Sequence, residues 1–321
     1  MNMKINVGIV GYGNLGKAVE QSVLSNSNLN LIAIFSRRMI KSKFNTKIEP
    51  YESFKNYSGK IEIMYLCGGS KSDLEVQTPE ILELFDCINT FDTHKKIQTE
   101  FNKLDELAKI SKHRLIMSCG WDPGIFSVIR GMFLAIGKTM PNTFWGKGIS
   151  MGHSDAIRRV SKVIDGVQFT IPNKEAVKLA KTGNLPEGMP KHFRECFVLT
   201  DKNNETEVEY EIKNIPNYFK GEPTKVNFVE SLELLKLKNK MFHKGEIISN
   251  FKTIHGTKNK MQFSVSMDSN PNFTAYIMLA YTNAVINLKE KNKTGAFTCL
   301  DIPISYLFVG KEKDNLLNII C

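Results

Sequence analysis

Three sets of residues in this chain have the types and spacing that chemistry demands. The first is Gly11-Tyr12-Gly13-Asn14-Leu15-Gly16, a G-x-G-x-x-G run directly after the apolar stretch 5–10. Gly11 lets the chain turn sharply off a strand, Gly13 removes a Cβ where backbone must approach a pyrophosphate, and Gly16 lets the following helix pack close. The N–H groups and positive dipole end of that helix then receive phosphates. The second set is Ser36-Arg37-Arg38, about 20 residues further on, where an NAD-binding chain carries Asp or Glu for the ribose 2′-hydroxyl. Here the next carboxylate is Glu49. A hydroxyl and two guanidinium forks suit a phosphate dianion, so the expected cofactor is NADP(H).

The third set is a pair of aspartates: Asp92, closing the apolar run 87–91, and Asp122, following the run 115–118. In a doubly wound sheet the carboxyl ends of the strands face the ligand crevice. Both carboxylates then reach one side of the sheet and suggest a site for a cationic group. A Gly-Gly turn, Cys67-Gly68-Gly69-Ser70, ends another apolar run at 61–66. The candidate cofactor contacts are therefore Gly11, Tyr12, Gly13, Asn14, Leu15, Ser36, Arg37, Arg38, Cys67, Gly69, Ser70, Thr90, Phe91, Asp92, Gly120, Trp121, Asp122, Pro123 and Gly124. Further on, the segment 143–155 combines glycines with Trp145, His153 and Asp155. It reads as a backbone-lined pocket wall with Trp145 and Met151 as apolar surfaces. The alternative is a glycine-rich turn ahead of a helix capped by Ser154 or Asp155.

The elements that must hold these sets follow from periodicity. Strand 5–10, the glycine turn, a helical pattern on Leu15, Val19 and Val23, and a second apolar run at 29–35 make one βαβ unit. The runs at 61–66, 87–91 and 115–118 extend it as further strands. Thr78-Pro79-Glu80 reads as a helix start, and 97–110 and 126–136 as helices. From residue 162 the pattern changes: 163–171, 194–199, 225–229 and 261–267 look like strands, while 208–215 fits both periods. A long helix opens within 268–275, and 295–298 begins a segment returning to the first half. The expected fold class is α/β, a Rossmann-like doubly wound parallel sheet plus an α+β substrate and dimerisation domain with a mixed sheet. The expected boundaries are 1–120, 121–295 and 296–321.

Composition narrows the class. The 321 residues carry 42% hydrophobic and 24% charged side chains, ordinary for a globular protein of two domains. No run approaches the ~18 apolar residues of a membrane span, and no basic-then-apolar leader opens the chain, so a cytoplasmic protein without membrane contact is expected. A net charge of +10 raises nucleic acid as a partner. The lysines, however, sit in loops (Lys41, Lys43, Lys47; Lys236, Lys238, Lys240, Lys244) without interleaved aromatics, and an anionic cofactor and substrate also favour a positive field. Nucleic-acid binding is therefore not expected. Six cysteines (67, 87, 119, 196, 299 and 321) form no CxxC pair and no zinc spacing, so no metal is expected and reduced thiols are.

Several segments together resemble one family, the meso-diaminopimelate D-dehydrogenases. They are Val10-Gly-Tyr-Gly-Asn-Leu-Gly16, Phe35-Ser-Arg-Arg38, Gly120-Trp-Asp-Pro-Gly124, Thr143-Phe-Trp-Gly146, Gly152-His-Ser-Asp155 with Arg158-Arg159, Asn270-Pro-Asn-Phe-Thr-Ala275 and Gly295-Ala-Phe-Thr298. The resemblance implies a homodimer and the reversible NADP-dependent deamination of the D-centre of meso-2,6-diaminopimelate, in diaminopimelate and lysine biosynthesis. It implies Asp92 and Asp122 as catalytic residues on the D-amino group. It implies Trp145, Ser150, Met151 and Gly152 around the substrate, and Thr170, Arg194, His243 and Asn270 at its far L-amino acid end. His153 is a candidate for moving a proton, with a structural role as the alternative. Another NADP-dependent oxidoreductase of amino-acid metabolism, homoserine dehydrogenase-like or dipicolinate reductase-like, is the competing expectation.

Overall fold

The computed structural model describes residues 4–70, 72–239 and 241–319, so Lys240 and Cys321 lie outside the described residues. Residue contacts divide the chain into two units, Met1–Val128 with Pro271–Cys321, and Ile129–Asn270.

The first unit opens with β1 (Ile5–Val10), α1 (Asn14–Leu24), β2 (Leu29–Ser36), β3 (Ile48–Pro50) and β4 (Ile63–Leu66). It continues through α2 (Leu74–Leu82), β5 (Asp86–Asn89), α3 (Ile97–Ser111), β6 (Arg114–Met117) and the start of α4 (Ile125–Gly137). Six of these strands form one parallel sheet with β14 (Gly295–Thr298), in the order β14-β6-β5-β4-β1-β2-β3. The order reverses direction between β1 and β4, where such sheets bind their ligands at the carboxyl ends of the strands. Parallel strands are covered on both faces and so read as unbroken apolar runs; Ile63, Met64, Tyr65 and Leu66 of β4 are all buried. A core of Val10, Phe35, Phe54, Leu66, Phe85 and Met117 lies on the sheet.

α9 (Asn270–Glu290) packs into this same unit, where Tyr65 and Thr282 share a buried hydrogen bond of 2.5 Å. The chain therefore rejoins the first unit at Pro271, ahead of the expected return at 296. α2 differs from expectation too. It begins at Leu74, and Pro79 lies inside it. Winding starts at the Gly-Gly turn, where the Gly69 carbonyl accepts from the Asp73 and Leu74 N–H groups at 2.9 and 3.1 Å. Thr78, expected as its cap, instead accepts a hydrogen bond from Asn89 Nδ2 at 3.3 Å.

The second unit holds the rest of α4, β7 (Asn142–Trp145), β8 (Gly148–Ile149), α5 (Met151–Arg158), β9 (Asp165–Pro172) and α6 (Lys174–Thr182). There follow β10 (His192–Leu199), α7 (Glu205–Lys213), β11 (Thr224–Phe228), α8 (Ser231–Lys238), β12 (His243–Lys252) and β13 (Lys258–Met267). The strands make a mixed sheet, β11-β10-β9-β8, and an antiparallel one, β13-β12-β7. Alternation along β9 sends Val167 and Phe169 toward Leu234 of α8. On β10, Cys196 and Val198 pack with Ile157 of α5 and Val208 and Ile212 of α7. α6 covers the antiparallel sheet through Ala176 and Ala180 against Phe144 and Ile248. The ambiguous stretch 208–215 is thus mostly helix, because Val208 and Ile212, four apart, supply the buried stripe. The cap of α5 is Ser150, whose Oγ accepts from the His153 N–H, and neither Ser154 nor Asp155 takes that role.

Candidate active site

In the first unit the glycine turn has the form its sequence predicts. Gly11 adopts φ 88°. A Cβ at Gly16 would collide with the Gly11 carbonyl, whereas one at Gly13 would meet nothing within 4 Å. Gly16 is therefore required for close packing, and Gly13 leaves open space for a ligand to approach the N-terminus of α1. Tyr12 is buried, and its hydroxyl donates to Glu20 Oε2 at 2.5 Å, while Ser42 Oγ donates to Glu20 Oε1 at 2.5 Å. Glu20 is a fully buried carboxylate on α1 that fastens both the turn and the loop after β2. Its position was visible in the sequence as an acid four residues beyond Gly16, on the helix face shared with Val19 and Val23.

At the end of β2, Ser36 Oγ accepts from the Arg38 N–H at 3.1 Å. The Arg38 guanidinium donates to the Tyr12 carbonyl at 3.4 Å. The half-exposed Arg37 side chain pairs with Asp73 at 2.5 Å. That carboxylate also takes the Gly69 N–H at 3.0 Å, so Asp73, absent from the sequence reading, joins the rim of β2 to the Gly-Gly turn after β4. An exposed ion pair contributes about 0–1 kcal/mol, little enough for a phosphate dianion to displace. These residues fit an NADP-type adenosine ribose.

Cys67, Gly69 and Ser70 stand at the exit of β4, Thr90, Phe91 and Asp92 at that of β5, and Gly120 to Gly124 beyond β6. Ser70 Oγ accepts from the Asp92 N–H at 3.0 Å. The buried Asn89 side chain accepts from the N–H groups of Phe91 and Ser118 at 3.2 and 3.1 Å, tying together the two loops that carry Asp92 and Asp122. Asp122 itself sits in a tight turn closed by the Gly120 N–H on the Pro123 carbonyl at 3.0 Å, with Trp121 packed edge-on against Phe126.

The second unit gathers the residues expected at the far end of the substrate. Gly148 of β8 pairs with Thr170 of β9, and Thr170 with Arg194 of β10, so the three lie in one row across the sheet. Arg194 is largely buried and donates from a terminal nitrogen to Thr170 Oγ1 at 3.0 Å. Its Nε has no hydrogen-bond partner, and Glu222 lies 3.9 Å away. Burial lowers the Arg194 pKa from its usual value, and the distant Glu222 carboxylate only partly offsets it. His243 is buried against Gly148, and its Nδ1 donates to the Lys244 carbonyl at 2.8 Å, which fixes the proton on that nitrogen. Asn270, half-buried, is anchored by its N–H on the Met241 carbonyl at 2.9 Å.

Trp145 closes β7, and Gly146 follows with φ 106°, where a Cβ would also strike the Thr170 carbonyl. Ser150 Oγ lies 2.8 Å from His153 Nδ1. His153 is wedged edge-on between Tyr218 and Phe219, and burial with the nearby Arg194 lowers its pKa to about 3. It is a neutral imidazole at ordinary pH. Met151 and Gly152, in the first turn of α5, are exposed. Among the residues that sequence reading did not single out, His192 stacks beneath the Trp145 indole, and Gln168 donates to Thr170 Oγ1 at 3.3 Å. Both lie on the strand face of Arg194, two residues from a predicted site residue on their own strands, which is the signal that could have found them.

Comparison with known proteins finds relatives that cover nearly the full length of the chain. The family profile of the diaminopimelic acid dehydrogenase C-terminal domain matches residues 120–269. The chain is 43% identical to a meso-diaminopimelate D-dehydrogenase of Acetivibrio thermocellus, over 95% of this chain and 94% of that one. The C. glutamicum DAP dehydrogenase, solved in complex with DAP, superposes with a TM-score of 0.93 at 32% identity, covering 99% of each chain. An engineered D-amino acid dehydrogenase bound to NADP+ superposes at 0.91 with 31% identity, over 98% of this chain and 99% of that one.

Proposed function

The chain belongs to the meso-diaminopimelate D-dehydrogenase family, and from that membership we infer its reaction. It is an NADP-dependent amino acid dehydrogenase that reversibly deaminates the D-centre of meso-2,6-diaminopimelate to L-2-amino-6-oxopimelate and ammonia. In the reductive direction it supplies diaminopimelate for lysine.

The observation that carries the reading is Arg194: a buried guanidinium beside Thr170, with an unsatisfied Nε and its nearest carboxylate at the edge of reach. A buried donor left unpaired costs about 1–3 kcal/mol, more when charged. A ligand carboxylate taken bidentately removes that cost. The substrate carries two ammonium–carboxylate ends of opposite hand. A site that grips the L end selects the D end for reaction by position alone.

The residue roles follow on that reading. Arg194 takes the distal carboxylate, with Thr170, His243 and Asn270 completing its polar shell. Trp145, Ser150, Met151 and Gly152 line the body of the substrate. Asp92 and Asp122 hold the D-ammonium, orient its Cα–H and assist its deprotonation. The glycine turn, with the strand exits around Cys67–Ser70, Thr90–Asp92 and Gly120–Gly124, holds the cofactor; Ser36, Arg37 and Arg38 take the 2′-phosphate. NADP+ held by these residues would supply the hydride acceptor. Hydrolysis of the resulting imine then releases ammonia.

The protein is a cytoplasmic homodimer on the same reading. Its described cysteines are all free and buried, which suits a reducing compartment. Among the described residues no helix is long and apolar enough to cross a membrane. The dimer is supported by α4, whose residues Met132 and Ile136, four apart, are exposed at 48% and 56%. The reaction is tested by NADPH formation at 340 nm. Turnover with meso-diaminopimelate and none with the L,L-isomer or homoserine is expected; turnover of homoserine instead, or of none of the three, removes the assignment.

A further inference from the structure

We propose that His192 is a positioning residue of the substrate pocket, a neutral imidazole that holds both the peptide and the indole of Trp145 in place beside the Arg194–Thr170 pair. The inference rests on the reading that Trp145 and Arg194 line that pocket.

Two independent contacts meet on one ring. The Trp145 N–H donates to His192 Nε2 at 2.8 Å. The imidazole also lies under the indole, centroids 4.9 Å apart and planes within 25°. Because Nε2 accepts, the proton resides on Nδ1. Phe144, the preceding residue of β7, flanks the ring at 6.2 Å. His192 begins β10, and strand alternation puts it on the same face as Arg194; in the register it faces Pro172 while Arg194 faces Thr170. The pocket wall therefore comes from the antiparallel sheet, the carboxylate shell from the mixed sheet, and His192 spans the two.

The surroundings keep the ring in this form. His192 is buried, and the charged or titratable groups around it are Arg194, Lys191 and His243. Burial first, then those neighbours, bring its pKa down to about 3. An imidazolium would add a cation to a site already built around a buried guanidinium. It would also lose the acceptor for the Trp145 N–H, and an unpaired buried donor is costly.

The test separates the two contacts. His192→Gln keeps an acceptor without the ring, and His192→Phe keeps a ring without the acceptor. Each is expected to lower kcat/KM for meso-diaminopimelate about tenfold, through KM, with kcat and the KM for NADP+ within about twofold of wild type. In a Trp145→Ala background, where the indole is gone, His192→Gln should change kcat/KM by less than about twofold. A full, additive loss there would overturn the proposal, as would a wild-type KM in both single variants. The NADP+ constant reports folding, and if His192→Phe does not fold, His192→Gln decides. Separately, in a Trp121→Phe background Trp145 is the sole indole. Its emission should change on His192→Gln and show no transition between pH 5 and 8 while His192 is present; unchanged emission overturns the stack. The emission arm needs no turnover, so an enzyme inert toward the diacid would sink the functional reading without touching the His192–Trp145 tie.

Discussion

At the scale of single residues, the buried charge of the second unit's site is Arg194, and its carboxylate partner stands at a distance. Arg194 has Thr170 at 3.0 Å and Glu222 only at 3.9 Å. A charge-assisted hydrogen bond to a carboxylate is worth about 1.5–3 kcal/mol. Arg194→Met should therefore raise KM for meso-diaminopimelate by roughly 10- to 100-fold while leaving the KM for NADP+ near its original value; equal effects on both would remove Arg194 from the substrate shell. On the proposed reading, Arg37 and Arg38 face the cofactor. Replacing both by Ala should cut the preference for NADP+ over NAD+ at least about tenfold, and an unchanged ratio of kcat/KM values would contradict a phosphate clamp there. His153 and His192, each brought to about 3 by burial, give a pH dependence whose sign is fixed. Unfolded histidines titrate near about 6.5. Between these values the unfolded chain binds more protons, so stability rises with pH; the contribution is complete above about pH 7 and is lost as pH falls toward 3. A urea midpoint clearly lower at pH 5 than at pH 7.5 is expected, and equal midpoints would argue against buried neutral histidines.

At the scale of elements, turns and caps decide where these side chains stand. Gly11, Gly16 and Gly146 are required by positive φ or by a carbonyl in the place of a Cβ. The first two were legible because a G-x-G-x-x-G run announces its geometry, but Gly146 meets Thr170 from a different strand and carries no local signature. Ser150 caps α5 where Ser154 or Asp155 was expected, because three neighbouring polar residues are equivalent candidates until the helix axis is set. α6 offers a clean measurement of such a cap. The Asn173 side chain accepts from the N–H groups of Glu175 and Ala176 at 3.1 and 3.4 Å. Asn173→Ala should destabilise by about 1 kcal/mol, read as a lower thermal midpoint with unchanged NADP+ affinity. Since α6 lies on the sheet that ends in Trp145, a drop in NADP+ affinity instead would mean that the cap acts well beyond its helix.

At the scale of the whole molecule, the chain is two units threaded in the order first, second, first. The division falls at 128/129 and 270/271, because α9 buries Ala275, Met278, Tyr281, Thr282 and Val285 within the first unit before β14 joins the sheet. The exposed apolar pair on α4 belongs to this scale as well. If it forms the homodimer contact, Met132→Glu with Ile136→Glu should convert a two-chain mass in light scattering to a one-chain mass, with the pattern of NADP+ binding retained. A double variant that stays dimeric would move the interface elsewhere.

What the amino-acid order determined by itself is whatever depends on near neighbours: the glycine turn, the basic rim of β2, the run of parallel strands and the helix stripes of α1 and α3. Their physics is local, since a φ, a dipole end or a 3.6-residue period is read within a few residues. The tertiary structure alone decided that Glu20 locks Tyr12, that Asp73 bridges Arg37 to Gly69, and that Arg194, Thr170 and Gly148 fall in one row with His243 packed against Gly148. Those arrangements depend on strand register and on burial, which raise or lower the cost of a charge according to what lies opposite it, and nothing near those residues in the chain records what that will be.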